Sequence, residues 1–198
     1  MHTQTNQTVQ SRSRIRPVVF WVTTFVVVFE LAAGSVWNLV PLEWVEIQLR
    51  HLGYPHFLTY ILGGWQAAAA VAIVVPRFPL IKEWAYAGAL LLWSGAAVSH
   101  LAIGDGVSSW GPPLMFGVFA TASWMLRPAD RRLAGTRLRR YRPADARQDG
   151  AERPETRPRA WAVSIGLLAA LYAVSFLTLP AAEAVMHEQA VERGWIHE

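Results

Sequence analysis

The stretch VVFWVTTFVVVFELAAGSVWNLV, residues 18–40, decides the fold class of this chain. Glu30 is its only charged residue. A helix of roughly 20 mainly apolar residues crosses the hydrocarbon core of a bilayer, and it must be a helix because lipid offers the backbone no hydrogen-bond partners. The stretch therefore predicts a helix that spans a membrane.

Four further apolar stretches follow, at residues 57–75, 84–103, 110–126 and 161–179. The stretch at 110–126 is at the lower limit of spanning length, which is about 17 residues. Together they predict an all-α membrane protein, a four-helix transmembrane bundle plus one additional C-terminal transmembrane helix. The predicted domains are a disordered cytoplasmic N-terminus at 1–17, the four-helix domain at 18–128, a basic cytoplasmic linker at 129–159, and the fifth transmembrane helix with an external tail at 160–198.

Composition supports a membrane protein and limits its chemistry. Hydrophobic residues make up 53% of the chain and charged residues only 16%, against about 25% charged in soluble domains. The positive charge is concentrated in residues 127–159, which contain eleven arginines and five acidic residues. A basic strip beside apolar spans indicates contact with anionic lipid, so the expected partner is the bilayer and not nucleic acid. The chain has no cysteine, so a redox role would need a cofactor or a partner protein.

The arginine and lysine distribution predicts the orientation. Basic residues are concentrated before the first stretch, at 76–83 and after residue 126, whereas the segments 41–56 and 104–109 contain few. Positively charged loops stay in the cytoplasm. We therefore expect a multi-pass protein of the cytoplasmic (inner) membrane, with a cytoplasmic N-terminus and an external C-terminal tail.

Polar residues inside the predicted spans are the first candidates for function. Glu30 and Gln66 each lie roughly 13 Å from the external end of their span, at 1.5 Å per residue, and Ser94 and Thr121 fall at a similar level. Intramembrane acids are costly and often functional. The positions predict a polar layer in which Glu30 bonds Gln66. Two roles are possible for that layer: it ties the helices together, or it forms a site for a proton or a ligand.

Histidine and tryptophan supply the other candidates. His51 and His100 are predicted near the external surface, without the close spacing typical of a metal site, so no metal is assigned. Asp105 is expected to be a solvated loop acid. Trp37 and Trp65 lie near the predicted polar layer, where they could form the wall of a pocket for a flat ligand or simply pack in the core.

An ordered set of short motifs resembles the DoxX-like family of small four-helix membrane proteins. The motifs are FELAAGSVWNL at 29–39, HLGYP at 51–55, ILGGWQ at 61–66, FPLIKEWAYAG at 78–88, SHLAIGD at 99–105 and ASWMLRP at 122–128. The resemblance covers residues 18–128. It implies kinship with a membrane subunit of thiosulfate:quinone oxidoreductase, in which DoxX and DoxD proteins deliver electrons to the quinone pool. Gln66 departs from the family pattern, in which lysine often follows the equivalent tryptophan.

The resemblance and the polar residues together give the functional expectation. The chain is interpreted as a quinone-interacting subunit of a membrane oxidoreductase system, with quinone as the candidate cofactor and a membrane or soluble oxidoreductase as the candidate partner. The expected ligand site contains Glu30, Gln66, His51, His100, Trp37 and Trp65. The alternatives are a small-molecule or lipid carrier that uses the same residues, and a structural membrane partner without catalysis.

Overall fold

The computed structural model describes residues 3–40, 42–128 and 158–195, and within them all regular structure is α-helical. The helices are α1 (Thr3–Leu39), α2 (Glu43–His51), α3 (Leu58–Val74), α4 (Pro79–Ala102), α5 (Val107–Leu126), α6 (Pro158–Leu177) and α7 (Leu179–Glu192). The all-α prediction is confirmed. Helix α1 begins at Thr3, well before the predicted start of the first span. Most of the predicted linker, residues 129–157, lies outside the described residues.

Three of these helices are long and apolar enough to cross a membrane, namely Ile15–Leu39 of α1, Pro79–Ala102 and Pro158–Leu177. Together they make the chain a multi-pass membrane protein. Helix α3 is apolar but only 17 residues long, and α5 contains Pro112 and Pro113. The prediction that α3 and α5 also span the membrane stays a prediction.

The core lies where four helices meet. Helix α1 packs against α3 and α5, and α4 packs against the same two helices. Helix α6 lies against α1 and α3, with Leu171 buried at that contact. Most of the α6 surface remains exposed, as expected for an apolar helix that faces lipid. The central buried side chains are Val27, Val28, Leu31, Ile73, Tyr86, Ala89, Trp93 and Ala120.

Two glycines set the register of α1 against α3. A Cβ atom at Gly63 would lie 2.7 Å from Leu39 Cγ, and a Cβ atom at Gly34 would lie 2.8 Å from Gln66 Nε2. Gln66 is therefore level with Gly34. Gly34 follows Glu30 by four residues in α1, which is about one helical turn or roughly 6 Å. Gln66 therefore lies about one turn closer to the C-terminal end of α1 than Glu30 does. The equal depth expected of Glu30 and Gln66 was wrong, because α3 begins beyond the end of α1.

The segment between α1 and α3, expected to be a loop, contains helix α2, which packs against α7. Leu42, at the start of α2, offers no side-chain cap. Instead, Glu183 Oε1 of α7 accepts a hydrogen bond from the backbone N–H of Trp44, at 3.3 Å. A carboxylate at a helix N-terminus satisfies a free N–H and interacts favourably with the helix dipole. We call this part of the molecule the α2–α7 end.

Candidate functional site

A cavity of about 580 Å³ extends from the interior of the helix bundle to the α2–α7 end. Helices α1, α3, α4 and α5 supply its sides, while α2 and α7 close it at one end. Its walls are mainly apolar, with a few polar groups at separate levels. The polar and aromatic residues on the walls include Glu30, Trp37, Asn38, Trp44, Gln48, Gln66, Trp93, His100, Gln189 and Arg193.

Glu30, Asn38 and Gln66 all line this cavity, but the expected hydrogen bond between Glu30 and Gln66 is not formed. Asn38 Nδ2 donates to Gln66 Oε1 at 3.1 Å and to the Gly34 carbonyl at 2.7 Å. Among the described residues, the Glu30 side chain makes no hydrogen bond or ion pair. The predicted Glu30–Gln66 hydrogen bond was wrong, because Gln66 sits one turn away and is paired with Asn38.

The wider polar layer is also not formed. Ser94 is exposed and donates to the Leu91 carbonyl of its own helix at 3.3 Å. Thr121 donates to the Gly117 carbonyl at 2.9 Å, again within one helix. A hydroxyl in a helix can satisfy itself on a preceding carbonyl, so equal depth did not imply contact between helices.

At the α2–α7 end, Asp105 joins two histidines. Its carboxylate lies 2.6 Å from His100 Nδ1 and 2.9 Å from His51 Nε2. Burial alone would raise the pKa of Asp105, but hydrogen bonds from His100 and His51 outweigh it and hold that pKa below its ordinary value. The expectation that Asp105 is a solvated loop acid was wrong.

The C-terminal segment covers this cluster. The Trp195 ring stacks on the His51 ring, with 4.8 Å between centroids, and on the His100 ring at 5.8 Å. The Arg193 guanidinium lies over the Trp195 ring at 5.1 Å. These contacts join α4, α2 and the end of α7, which lie far apart in sequence, so a search for local spacing could not find them.

Two tryptophans on the cavity wall hold unpaired donors. The indole Nε1 atoms of Trp37 and Trp44 are buried and have no hydrogen-bond partner. Buried indole N–H groups usually have an acceptor. The two rings meet edge to face with 6.4 Å between centroids. Two residues of the cavity wall therefore hold buried N–H groups without acceptors.

Trp65 lies elsewhere, on an apolar groove of about 280 Å³ between α3 and α4. It is 73% exposed, and Trp84 lies on the same groove. Gln66 and Leu92 line both the groove and the cavity. The structure therefore brings Glu30, Trp37, Gln66 and His100 to the cavity, places His51 beside His100, and places Trp65 on the adjoining groove. In the part of the chain that the structure describes, no group of acidic and histidine side chains is arranged to hold a metal.

Comparison with known proteins adds one finding. A model described as the DoxX-like family matches residues 22–123, just over half of the chain. No curated protein and no solved structure matches the sequence. The matched region includes Glu30, Gln66, His51, His100 and Asp105, but it ends before α6 and α7, and α7 supplies part of the cavity wall.

Proposed function

Because the chain belongs to the DoxX-like family, we propose that it is a quinone-binding membrane subunit of an oxidoreductase system. The quinone ring occupies the cavity, and a partner protein exchanges electrons with it. A partner is required because the chain contains no cysteine that could form a dithiol relay or hold an iron–sulfur cluster.

The observation that carries this proposal is the pair of unpaired donors, Trp37 Nε1 and Trp44 Nε1. A buried donor without an acceptor costs about 1–3 kcal/mol. A quinone oxygen that accepts from these groups would recover that cost, and the flat ring would pack against indole faces. Asn38 and Gln66 offer further polar atoms deeper in the cavity.

The adjoining groove supports a ligand with a long apolar tail. The cavity suits a polar ring, the groove between α3 and α4 is almost entirely apolar, and the two meet at Gln66 and Leu92. An isoprenoid tail leaving the cavity at this junction would lie along Trp65 and Trp84, on a surface open to lipid.

The topology belongs to the same proposal. Helices α1, α3, α4 and α5 form a four-helix transmembrane bundle, and α6 is an additional span. The protein lies in the cytoplasmic membrane with a cytoplasmic N-terminus, so the α2–α7 end faces outside. The arginine distribution supports this orientation. An epitope tag after Glu198 should then be accessible from outside intact spheroplasts, and a protected tag would overturn the orientation.

The first test is to identify what the full-length protein binds. We expect mass spectrometry of an organic extract of the detergent-purified chain to show an isoprenoid quinone near one per protein. An extract enriched in another lipid or metabolite would support the carrier function instead. An extract without any retained small molecule would support a structural role.

The second test uses ubiquinone-1, a quinone with a short tail. Trp37→Phe and Trp44→Phe should each weaken its binding about fivefold, because one net hydrogen bond contributes about 1 kcal/mol. Trp161→Phe is the matched control, since Trp161 does not line the cavity, and its affinity should equal that of the wild type. Unchanged affinity in both cavity variants would contradict the proposal.

A further inference from the structure

His100 is held in one orientation beside the cavity. Its side chain is 1% exposed, and its Nδ1 atom lies 2.6 Å from Asp105 Oδ2. Its other ring nitrogen, Nε2, lies 3.3 Å from the Gln48 amide nitrogen. Both His100 and Gln48 line the cavity, so Nε2 is the ring nitrogen turned away from Asp105 and toward a cavity residue.

The partner of Nδ1 fixes the tautomer of the ring. An ionised carboxylate only accepts hydrogen bonds, so the ring nitrogen that faces Asp105 carries a proton. In neutral His100 the Nε2 atom is then bare and acts as an acceptor. The long contact from the Gln48 amide, which donates, agrees with this assignment.

The surroundings keep Asp105 able to accept. Its second bond comes from His51 Nε2 at 2.9 Å, and these hydrogen bonds lower its pKa despite burial. Trp195 stacks on both histidine rings, with Arg193 over the face of Trp195. The titratable and charged groups around His100 are therefore Asp105, His51 and Arg193.

We infer that His100 Nε2 selects a hydroxyl-bearing head group, so that the site favours the reduced, hydroquinone form of its ligand over the quinone. This inference rests on the proposed function and names which form the site prefers. A quinone carbonyl can only accept hydrogen bonds, and a bare Nε2 cannot donate one. A hydroquinone hydroxyl donates to Nε2 in place of the Gln48 amide, whose contact of 3.3 Å is long, and its oxygen can still accept a hydrogen bond.

The same geometry makes His100 a proton acceptor. When Nε2 takes the hydroxyl proton, a new N–H bond forms, the O–H bond breaks and its electron pair stays on the oxygen. The imidazolium keeps its Nδ1–H bond to Asp105, whose negative charge stabilises it. Asp105 and His51 do not touch the ligand in this scheme and act as positioning residues.

Binding of the two redox forms provides the main test. The full-length wild type in detergent should bind ubiquinol-1 about fivefold more tightly than ubiquinone-1, the equivalent of one net hydrogen bond. Asp105→Asn should abolish that preference, because an amide can donate to Nδ1 and favour the opposite tautomer. Glu46→Gln is the matched control, since Glu46 pairs with His56 at 3.4 Å away from the cavity, and it should keep the preference.

A ligand-free measurement keeps the inference testable even if Asp105→Asn folds poorly. In ¹⁵N-histidine-labelled wild type at a pH where the ring is neutral, His100 should show a protonated Nδ1 and a bare Nε2. The opposite assignment would overturn the inference. Equal affinity for ubiquinol-1 and ubiquinone-1 would also overturn it while leaving the proposed function intact, whereas no binding of either form would overturn both.

Discussion

The two ends of the molecule use polar side chains in opposite ways. At the end away from α2 and α7, the buried Lys82 donates to the carbonyls of Ala72, at 3.0 Å, and Ile73, at 2.9 Å, and to that of Val75. These carbonyls belong to the end of α3 and have few partners within the helix. At the α2–α7 end, by contrast, two buried indole N–H groups have no acceptor and a large cavity lies beside them.

A second polar group at the Lys82 end, the Glu83 carboxylate, also has hydrogen-bond partners for both of its oxygens. Glu83 accepts from Arg127 Nη1 at 2.7 Å and from Trp124 Nε1 at 2.6 Å, and these bonds tie the end of α5 to the start of α4. Polar groups that are paired in this way stabilise and orient helices, although Glu83 and Trp124 are only partly buried. The comparison teaches that the Lys82 end fastens the fold, whereas the α2–α7 end combines paired groups around Asp105 with polar atoms of Trp37, Trp44 and Glu183 that have no partner.

The largest expected effect is at the Lys82 end. Lys82→Met should lower the free energy of unfolding by about 3 kcal/mol, because hydrogen bonds from a charged group are lost and buried carbonyls stay unpaired. Reversible unfolding in mixed detergent micelles, followed by circular dichroism, measures the change. Leu80→Met, at an exposed site in the same helical turn, should change little.

The affinity of Lys82→Met for ubiquinone-1 should stay within about twofold of the wild type where the protein is folded, because Lys82 does not line the cavity. Unchanged stability in Lys82→Met would remove the contrast between the two ends.

A smaller effect is expected where α1 meets α3. Gly63→Ala should destabilise the protein by about 1–3 kcal/mol, the usual cost of overpacking, because the new Cβ atom would lie 2.7 Å from Leu39 Cγ. Gly64→Ala is a matched control, since no atom lies within 4 Å of a Cβ atom there. The same unfolding assay compares the two variants. Equal stability would mean that Gly63 does not set the register that separates Gln66 from Glu30.

The sequence predicted the helical class and the membrane environment because long apolar stretches have few other structures available to them. It also identified Glu30, Gln66 and His100, because polar residues in apolar stretches stand out. It could not predict their partners. Hydrogen bonds such as Asn38 to Gln66 depend on helix register, and that register follows from close contact at Gly63 and Gly34.

The C-terminal part shows a second limit of sequence reasoning. Glu183, Arg193 and Trp195 were interpreted as parts of an external tail, but Glu183 caps α2 and Trp195 covers two histidines. Glu183 and Trp195 make these contacts with residues more than ninety positions earlier in the chain. Neither apolar length nor local spacing carries information about such pairs, so Asp105 and α7 were missed as parts of the site.

An acid-dependent effect should distinguish Asp105 from an ordinary surface acid. Because the folded-state pKa of Asp105 is lowered, its contribution to stability is present above the unfolded value of about 3.9 and is lost as pH falls through the lower folded value. The stability difference between wild type and Asp105→Asn should therefore narrow as pH falls from 5 to about 3. Unfolding measured at several pH values tests this, and a constant difference would indicate that Asp105 is not held by the two histidines.

The smallest loss of stability is expected at Glu30, which makes no hydrogen bond or ion pair among the described residues. Neither Glu30→Gln nor Glu30→Leu should lower the free energy of unfolding by more than about 0.5 kcal/mol, because neither removes a hydrogen bond, and Leu also removes the cost of an unpaired acid at a half-buried position. Asn38→Leu provides the contrast, because it removes the 3.1 Å hydrogen bond from Asn38 to Gln66. It should lower the free energy of unfolding by about 1–2 kcal/mol. The ubiquinol-1 preference should survive Glu30→Gln, because the proton acceptor is His100. Loss of stability in Glu30→Leu would show that Glu30 ties the helices together, as Lys82 does at the other end. Loss of the ubiquinol-1 preference in Glu30→Gln would show that the proton acceptor is Glu30 and not His100.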